Sequence, residues 1–140
     1  ARPLETLRPL LEGITFETKL GSMLAKTERV QKILPALGAL VGAEAAALET
    51  AAAAAAISRA DLASSVVMEF TSLAGTMGKH YAAKEGLSDE VAEAIFEAAL
   101  PRGAGDDLPA TPAGVLVAVA DRLDSLVGLF AVGCAPSSNS

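Results

Sequence analysis

The sequence predicts an all-α fold, a single helical bundle, and three observations support this. Apolar residues recur at intervals of three and four in almost every segment. No alternating apolar and polar run of strand length is present. Hydrophobic residues make up 51% of the chain and aromatic residues only 4%, so the core is expected to be closely packed Ala, Leu and Val, which favours helices.

A chain of 140 residues fits one domain, since a domain of this size buries about 68 to 70% of its unfolded surface. We expect that domain at residues 15–135, with a cut linker at 1–14 and a cut tail at 136–140. The chain opens with Ala1 rather than Met, and its tail contains no residue that forms a core. Both ends are therefore expected to be cuts within a longer chain.

The first predicted helix begins at Thr15, whose hydroxyl is suited to cap it. The members of its apolar face are spaced at threes and fours: Leu20, Met23, Thr27, Val30 and Leu34. Pro35 is expected to end or kink this helix, because proline lacks the backbone N–H that a helix interior uses.

Three helices are predicted in the middle of the chain. The stretch from Ala43 to Ala56 is nearly pure alanine, which has the highest helix propensity but little side chain to anchor it. Ser58 and Asp61 resemble a capping box, with Asp in place of the usual Glu, and predict a helix towards Phe70. A further helix is predicted at residues 71–84, weakened by two glycines.

The clearest boundaries belong to the last two helices. Ser88 provides a cap followed by two acidic residues, and Pro101 closes this helix. Residues 102–110 contain two glycines, two aspartates and a proline, which indicates a loop. Thr111 then caps the final helix, with Pro112 at its first position and a glycine beyond its end.

The final helix, from Ala113 to Val132, is apolar nearly all round and is therefore expected at the centre of the bundle. One face carries Leu116, Val119, Leu123, Leu126 and Phe130, and the opposite face carries Val117, Asp121 and Gly128. We expect Asp121 to be buried, where a carboxylate needs partners. If Leu123 is fully buried, Leu123→Ala should cost about 2 to 5 kcal/mol.

The apolar run from Ala113 to Cys134 is not expected to be a membrane span. Asp121, Arg122 and Asp124 lie at its centre, and each would cost about 2.5 to 3.5 kcal/mol at the bilayer midplane. No N-terminal signal pattern is present. The single cysteine excludes an internal disulfide and a cysteine-based zinc site.

The formal net charge of −6 is the opposite of the basic footprint of a free-standing nucleic-acid-binding domain. Any RNA contact is therefore expected at a local patch. Lys19, Lys26 and Arg29 lie within about 80° of one another on the first predicted helix, at about 100° per residue, and form the only coherent basic stripe. This stripe is either a solvated helix flank or an RNA-backbone contact, since phosphate binding needs only positioned cations.

Asp61 and Asp121 resemble two positions of the HD superfamily, whose metal-dependent phosphohydrolases place a His-Asp pair and a later Asp around metal ions. The position of the paired histidine is Ala60 here, and the one histidine, His80, follows the pair. An imidazole-rich metal site cannot be assembled from these residues. We therefore expect no metal, with Asp61 capping a helix and Asp121 in a satisfied polar contact.

Three other features are expected to be structural. His80, beside Tyr81, is more simply a packed or half-exposed side chain than a base. Cys134 has no nearby histidine or basic cluster to activate it. Gly103 and Gly105 resemble a weak phosphate loop, but the two aspartates behind them would repel phosphate.

Several stretches together resemble the beta portion of the bacterial-type glycyl-tRNA synthetase, which is fused into one chain with the alpha portion in plastids. The resemblance extends from Thr15 to Pro136, and its stretches occur in order. They are 16–22 (FETKLGS), 26–31 (KTERVQ), 60–62 (ADL), 69–71 (EFT), 77–82 (MGKHYA), 101–102 (PR), 104–106 (AGD) and 120–130 (ADRLDSLVGLF).

This resemblance implies a degenerate HD domain, which agrees with the missing histidine at Ala60. The family's glycine, ATP and magnesium site lies in its class II catalytic portion. It follows that no catalytic residue and no cofactor belong to this segment, while ATP and Mg²⁺ serve the whole enzyme. Because the family uses its beta portion to hold tRNA, tRNA-Gly is an expected partner. The candidate contacts are Lys19, Lys26, Arg29 and Arg102, the last followed by Gly103 where the bacterial pattern has a bulky aromatic residue.

The resemblance also implies the catalytic alpha portion and the anticodon-binding portion of the ligase as partners, in a homo-oligomer. The end of the last helix, from Phe130 to Cys134, is more similar to plant and algal organellar forms, which implies a soluble chloroplast protein or one shared with the mitochondrion. The expected function is an internal tRNA-positioning or structural domain of a glycine–tRNA ligase. The alternatives are a helical protein-interaction module and an HD-type phosphohydrolase.

Overall fold

The structure of the chain, a computed structural model, describes residues 3–133. Within this range the helices are α1 Leu4–Leu7, α2 Met23–Val41, α3 Ala45–Ile57, α4 Ser65–Glu69, α5 Thr76–Lys84, α6 Asp89–Glu97 and α7 Pro112–Ala131. Two short strands, β1 Thr15–Glu17 and β2 Gly21–Ser22, pair antiparallel. Turns of 3₁₀ helix occupy Arg8–Gly13, Ala60–Ala63 and Thr71–Leu73. The predicted all-α bundle is confirmed, while Cys134 and the tail at 136–140 lie outside the described residues.

Helix α7 packs against α2, α3 and α6 on one of its sides, while Val119, Leu123 and Leu126 on the other side are exposed. The core around it is formed by leucine, isoleucine and valine side chains together with many buried alanines. Small alanine side chains let the helices approach one another closely, and the tract at residues 45–57 is indeed helical. Of the helices in residues 3–133, none has the length and apolar character needed to cross a membrane.

The N-terminal segment is part of the fold, so the predicted linker at residues 1–14 is wrong for the described residues. Leu4, Leu7 and Leu11 are buried in the main core. The α1 segment packs against α5 and the 3₁₀ turn at Ala60–Ala63. The backbone N–H of Leu4 also donates to the carboxylate of Glu85, at 3.0 Å. Three leucines at spacings of three and four form a buried edge even in a segment this short.

A β-hairpin replaces the predicted start of the first helix. Thr15 opens strand β1 instead of capping a helix. The carboxylate of Glu17 accepts the backbone N–H groups of Lys19 and Leu20, at 2.7 and 2.9 Å, and this closes a tight turn. Helix α2 starts only after Ser22, whose hydroxyl accepts the N–H of Ala25 at 3.1 Å. Local side-chain bonds to backbone therefore outweigh the helical spacing in this segment.

Helix α2 continues through Pro35 and ends at Val41, so the predicted end at Pro35 is wrong. An interior proline costs about 3 kcal/mol through its lost hydrogen bond and its clash with the preceding turn. Leu34 and Leu37, on either side of Pro35, are both buried in the core. Their burial offsets the cost of the proline, which itself faces outwards.

The middle of the chain forms shorter helices than predicted. Ser58 ends α3 rather than opening a new helix, and Ser64 caps α4 by accepting the N–H of Val67 at 3.2 Å. Gly75 has a φ of 84°, a left-handed conformation that divides residues 71–84 into a 3₁₀ turn and α5. Side chains other than glycine rarely adopt this conformation.

The caps of the last two helices are confirmed. The hydroxyl of Ser88 accepts the N–H of Val91 at the start of α6, and α6 ends at Glu97, before Pro101. The hydroxyl of Thr111 accepts the N–H of Gly114 at 3.1 Å at the start of α7. The segment between these helices is the predicted loop.

Only one side of α7 contacts the core. Val119, Leu123 and Leu126 are 39%, 39% and 49% exposed, so the condition on which a large loss in Leu123→Ala depends, full burial, is not met. The buried face carries Val117, Ala120, Asp121 and Asp124, and Leu116 at its border is buried as well. Because α7 is apolar on both sides, spacing alone could not decide which side faces the bundle.

Candidate functional site

A cluster of charged side chains lies buried between α2 and α7. Its centre is Lys26, which is only 2% exposed. The Lys26 ammonium donates to Asp124 Oδ2 at 3.0 Å, to Ser125 Oγ at 2.8 Å and to the backbone carbonyl of Asp121 at 3.2 Å. It also lies 3.3 Å from Asp121 Oδ1. All three ammonium protons thus have acceptors, as a buried lysine requires.

Two arginines complete the cluster. Arg29 holds both oxygens of Asp124, with Nε 2.7 Å from Oδ1 and a terminal nitrogen 3.2 Å from Oδ2, and its other terminal nitrogen donates to the carbonyl of Leu20. Arg59 donates to Asp121 Oδ2 at 2.8 Å. Paired, two-point contacts between guanidinium and carboxylate are among the stronger hydrogen bonds in proteins. We call Lys26, Arg29, Arg59, Asp121 and Asp124 the charge cluster.

Helix periodicity explains why these groups meet. Lys26 and Arg29 are three residues apart on α2, and Asp121 and Asp124 are three residues apart on α7, so each pair shares one helix face. The two helices pack directly against each other. Phe16 of the hairpin covers the cluster, with its ring centroid 4.5 Å from the Lys26 ammonium and 5.9 Å from the Arg29 guanidinium.

The cluster sets the ionisation of Asp124. Burial acts to raise the pKa of Asp124, but the hydrogen bonds and positive charges of Arg29 and Lys26 outweigh it, and the pKa lies below its ordinary value of 3.8. The carboxylate is therefore charged throughout the neutral range. Its charge is balanced inside the protein.

Asp61 is a second buried carboxylate, held by backbone rather than by a cation. Its Oδ2 accepts the N–H groups of Gly75 and Gly78, at 2.8 and 2.9 Å, at the start of α5. Burial raises the pKa of Asp61 above 3.8, against the opposing effects of these two bonds and of the charge on Arg59. Asp61 therefore caps a helix, as predicted, although the helix is α5 and not its own.

The three residues at HD-like positions, Ala60, Asp61 and Asp121, are packed within the fold. Ala60 and Asp61 are buried beside α5, and the buried Asp121 has both carboxylate oxygens engaged by Lys26 and Arg59. The expectation that Asp121 is buried and partnered is confirmed. Among residues 3–133, no group of three or more His, Cys, Asp and Glu side chains has a metal-binding arrangement. The absence of a bound metal stays a prediction, supported by the two cations that hold Asp121.

The predicted basic stripe does not exist as one surface. Lys19 is exposed in the turn of the hairpin and not on a helix, while Lys26 is buried and Arg29 is half-buried. The opposite charge of Asp124 balances Lys26 and Arg29. Any contact of these residues with tRNA stays a prediction.

Arg102 is exposed but its guanidinium is engaged within the chain. It donates to the carbonyls of Ser72 and Ala74, the first at 2.7 Å. The side chain also lies over the ring of Phe96, with 6.0 Å between guanidinium carbon and ring centroid. Asp106 accepts the backbone N–H of Arg102 at 2.9 Å, so the loop is held internally.

Two partners in these buried networks were not identified from the sequence. Arg59 follows Ser58 and was not singled out, although a cation next to an HD-like pair is the type of residue a buried Asp121 needs. Glu97 is buried and accepts the backbone N–H groups of Ala110 and Thr111 as well as the Thr111 hydroxyl. At about 100° per residue, Glu97 lies within about 40° of Glu90 and Glu93 on α6, so helical spacing groups it with those acids and does not predict its burial.

His80 is exposed on α5, with its ring 6.1 Å from that of Tyr81. The described residues around it supply no carboxylate or cation partner for its ring.

The chain thus has an all-α architecture in which the HD-like carboxylates serve as caps and ion-pair partners.

Comparison with known proteins defines the class. A sequence profile described as "Glycyl-tRNA synthetase beta subunit" matches residues 1–140, and the chain belongs to this family. It is 47% identical over 133 residues to "Glycine--tRNA ligase, chloroplastic/mitochondrial 2" of Arabidopsis thaliana, covering 95% of this chain and 12% of that protein. It is 42% identical over 138 residues to the "Glycine--tRNA ligase beta subunit" of Dichelobacter nodosus, covering 99% and 20%.

The protein of the same name from Trichodesmium erythraeum is 42% identical over 140 residues, covering all of this chain and 20% of that protein. The chain thus spans between 12% and 20% of the length of these relatives.

Proposed function

We propose that the chain is a non-catalytic domain of a glycine–tRNA ligase and helps to hold tRNA-Gly while the whole enzyme attaches glycine. The observation that carries this proposal is the family match over residues 1–140. Since the chain spans only 12% to 20% of its relatives, glycine activation, with ATP and Mg²⁺ as cofactors, is assigned to other portions of the enzyme.

The arrangement of the buried carboxylates favours support over chemistry. Asp61 holds backbone N–H groups, and Asp121 and Asp124 hold cations of this same chain. A hydrolase of the HD type would need these oxygens for metal ions, and it would need a histidine where Ala60 stands. Family membership weighs against the other alternative, a helical protein-interaction module unconnected with tRNA.

Within the candidate set, the proposed RNA contact is confined to Lys19 and Arg102. Both lie at the surface, whereas Lys26 and Arg29 bind Asp124. Breaking a buried ion pair to reach phosphate would leave Asp124 with an unpaired charge in the interior, which is costly. Lys19 is the cleaner candidate, because Arg102 also holds two backbone carbonyls.

Other portions of the ligase are the proposed partners of this domain, and the chloroplast is its proposed location. The catalytic alpha portion and the anticodon-binding portion of the ligase are proposed to act with this domain in a homo-oligomeric enzyme. The name of the Arabidopsis relative supports a chloroplast protein, shared with the mitochondrion in that plant.

The test uses the full-length ligase with Lys19→Gln. We expect a higher KM for tRNA and a shallower dependence of affinity on salt, by about 0.7 to 0.9 in log–log slope for one lost phosphate contact. Glycine-dependent ATP–pyrophosphate exchange should be unchanged, since that step needs no tRNA. Lys32→Gln, which removes an exposed lysine of α2, is the matched control.

If Lys19→Gln and Lys32→Gln give the same KM and the same salt slope as the parent enzyme, Lys19 does not contact tRNA. The function of the domain would then be structural support of neighbouring portions of the ligase.

A further inference from the structure

We propose that the outward side of α7 is a docking surface for an apolar segment of the same polypeptide that lies outside these 140 residues. We call Val115, Val119, Leu123 and Leu126 the outer face of α7. This inference rests on family membership and on the surface of α7. It is independent of the proposed tRNA contact.

The outer face has the sequence of a buried surface. At about 100° per residue, Val115, Val119 and Leu126 fall within about 40° of one another, opposite the buried Val117 and Asp124. A helix that is apolar all round is normally covered on all sides. Here the described residues cover one side only, and 39% to 49% of each outer-face side chain is exposed.

The shape beside the outer face is concave. Leu100, Pro101, Leu108 and Pro109 form walls around a groove of about 460 Å³ along α7. A second hollow of about 540 Å³ lies between α7 and the end of α2, and Val115 borders both. The two hollows thus meet at Val115 and lie side by side along α7.

The groove offers an RNA ligand no free charge. Among residues 3–133, Arg122 is the one charged residue that lines it, and its guanidinium donates to the backbone carbonyls of Ala98 and Pro101, at 2.9 and 3.2 Å. What remains for a ligand is the aliphatic part of Arg122 among Leu, Val and Pro side chains. Such a groove fits apolar side chains of a helix or an extended segment.

The lengths of the relatives indicate the source of that segment. Relatives of 41% to 43% identity carry this region as 19% to 20% of a longer chain, so most of each polypeptide lies elsewhere. A segment of the same polypeptide is present at high effective concentration. A second copy of this domain is disfavoured, because a net charge of −6 on each copy opposes association.

The test measures thiol alkylation in the full-length ligase at two engineered sites, Val119→Cys and Leu126→Cys. Peptide mass spectrometry measures alkylation at each engineered site separately, so the native cysteines need not be removed. The alkylation rate at each site in the native enzyme is divided by the rate at the same site in urea, which corrects for the intrinsic reactivity of that cysteine. Glu90→Cys, on the exposed first turn of α6, serves as the reference. We expect both α7 sites to react at least about tenfold more slowly than Glu90→Cys after this correction, because an occupied groove must open before reagent enters.

Equal corrected rates at all three sites would overturn the proposal, since the outer face would then be open in the whole enzyme. Protection that disappears on dilution would assign the surface to a second copy, and protection that needs added tRNA would assign it to RNA. Either result contradicts docking within one polypeptide. Two sites are used so that one poorly folded variant does not decide the outcome.

Discussion

The two sides of α7 carry side chains in the reverse of the usual arrangement. The side that packs against α2 carries Asp121 and Asp124, whereas the opposite side carries Val119, Leu123 and Leu126 at the surface. Charge is tolerated inside because each carboxylate has cations within hydrogen-bond distance. On the proposed docking, the apolar side chains at the surface are covered by a segment outside residues 3–133.

This contrast shows how the buried carboxylates of the chain differ from the metal ligands of an HD enzyme. Carboxylates in the interior are needed by a metal site, but here Lys26 and Arg59 take the oxygens of Asp121. The interior charge has therefore become part of the packing between α2 and α7. The outer face of α7 is exposed in the isolated domain. On the proposed docking, it would be covered in a larger enzyme.

The largest effect is expected from Lys26→Met, which preserves length and apolar volume but removes the central charge. Among the described residues, Asp124 would keep Arg29, and Asp121 would keep Arg59 at 2.8 Å and the more distant Arg122 at 3.9 Å. Removing one partner of a buried ion pair typically costs about 3 to 5 kcal/mol. Urea denaturation followed by circular dichroism measures the loss of free energy of unfolding. A loss below about 1 kcal/mol would mean that Lys26 is solvated and that the charge cluster does not form.

The second network at the start of α7 should be the next most sensitive. A Cβ at Gly114 would lie 2.1 Å from Glu97 Oε1 and 2.8 Å from Glu97 Cβ. Gly114→Ala should therefore destabilise by about 1 to 3 kcal/mol, because Glu97 must move and release the N–H groups of Ala110 and Thr111. Gly103→Ala, where a Cβ meets nothing within 4 Å, is the control with the same chemical change. Equal stability of the two variants would contradict the close approach of Gly114 and Glu97.

The two types of buried carboxylate should respond to pH in opposite ways. Asp124, whose pKa is lowered in the folded chain, contributes stability above pH 3.8 that is lost as the pH falls through its folded pKa. Asp61, whose pKa is raised, binds its proton more tightly when folded. Its effect is therefore a gain in stability as the pH falls from its raised pKa towards 3.8.

Asp61→Asn isolates the second effect, since the amide oxygen still accepts the N–H groups of Gly75 and Gly78. The stability of this variant relative to the parent should decrease as the pH is lowered towards 3.8. Urea denaturation at a series of pH values measures the difference. If the stability of the variant relative to the parent stays constant or rises as the pH falls in that range, the pKa of Asp61 is not raised by folding.

The smallest effect is expected on the outer face. Leu123→Ala should cost about 1 kcal/mol or less in the 140-residue chain, since the side chain is 39% exposed. Leu116→Ala, on the same helix but buried, should cost about 2 to 5 kcal/mol. If Leu123→Ala costs as much as Leu116→Ala in this chain, the outer face is already covered within it.

The helix starts at Ser88 and Thr111 were predicted correctly, whereas those at Ser22 and Ser64, which cap their helices in the same way, were missed. Ser88 and Thr111 each bond to the backbone three residues on, so the sequence contains the whole interaction. Asp61 caps a helix 14 residues away, and nothing in its neighbours indicates which backbone it reaches. The hairpin was missed because strands of two and three residues leave no alternation to detect.

In the candidate site, the sequence was enough to predict that Asp121 is buried, but not that the cations Lys26 and Arg59 would be its partners. Asp121 stands out as a charge within an apolar helix, which predicts burial and a partner. Lys26 has the spacing of a solvated lysine on α2, and its burial depends on Asp124, 98 residues further along the chain. Which face of α7 turns inwards depends on those same ion pairs, because both faces carry enough apolar residues to form a core.

The most direct test of this account is a double-mutant cycle on Lys26 and Asp124. Lys26→Met, Asp124→Leu and the double variant are compared with the parent by urea denaturation. Because the two side chains bind each other in the interior, the loss in the double variant should be smaller than the sum of the two single losses. The coupling energy should lie between about 0.5 and 3 kcal/mol, the range for residues in direct contact. If the two single losses add to the double loss within about 0.5 kcal/mol, Lys26 and Asp124 are not partners.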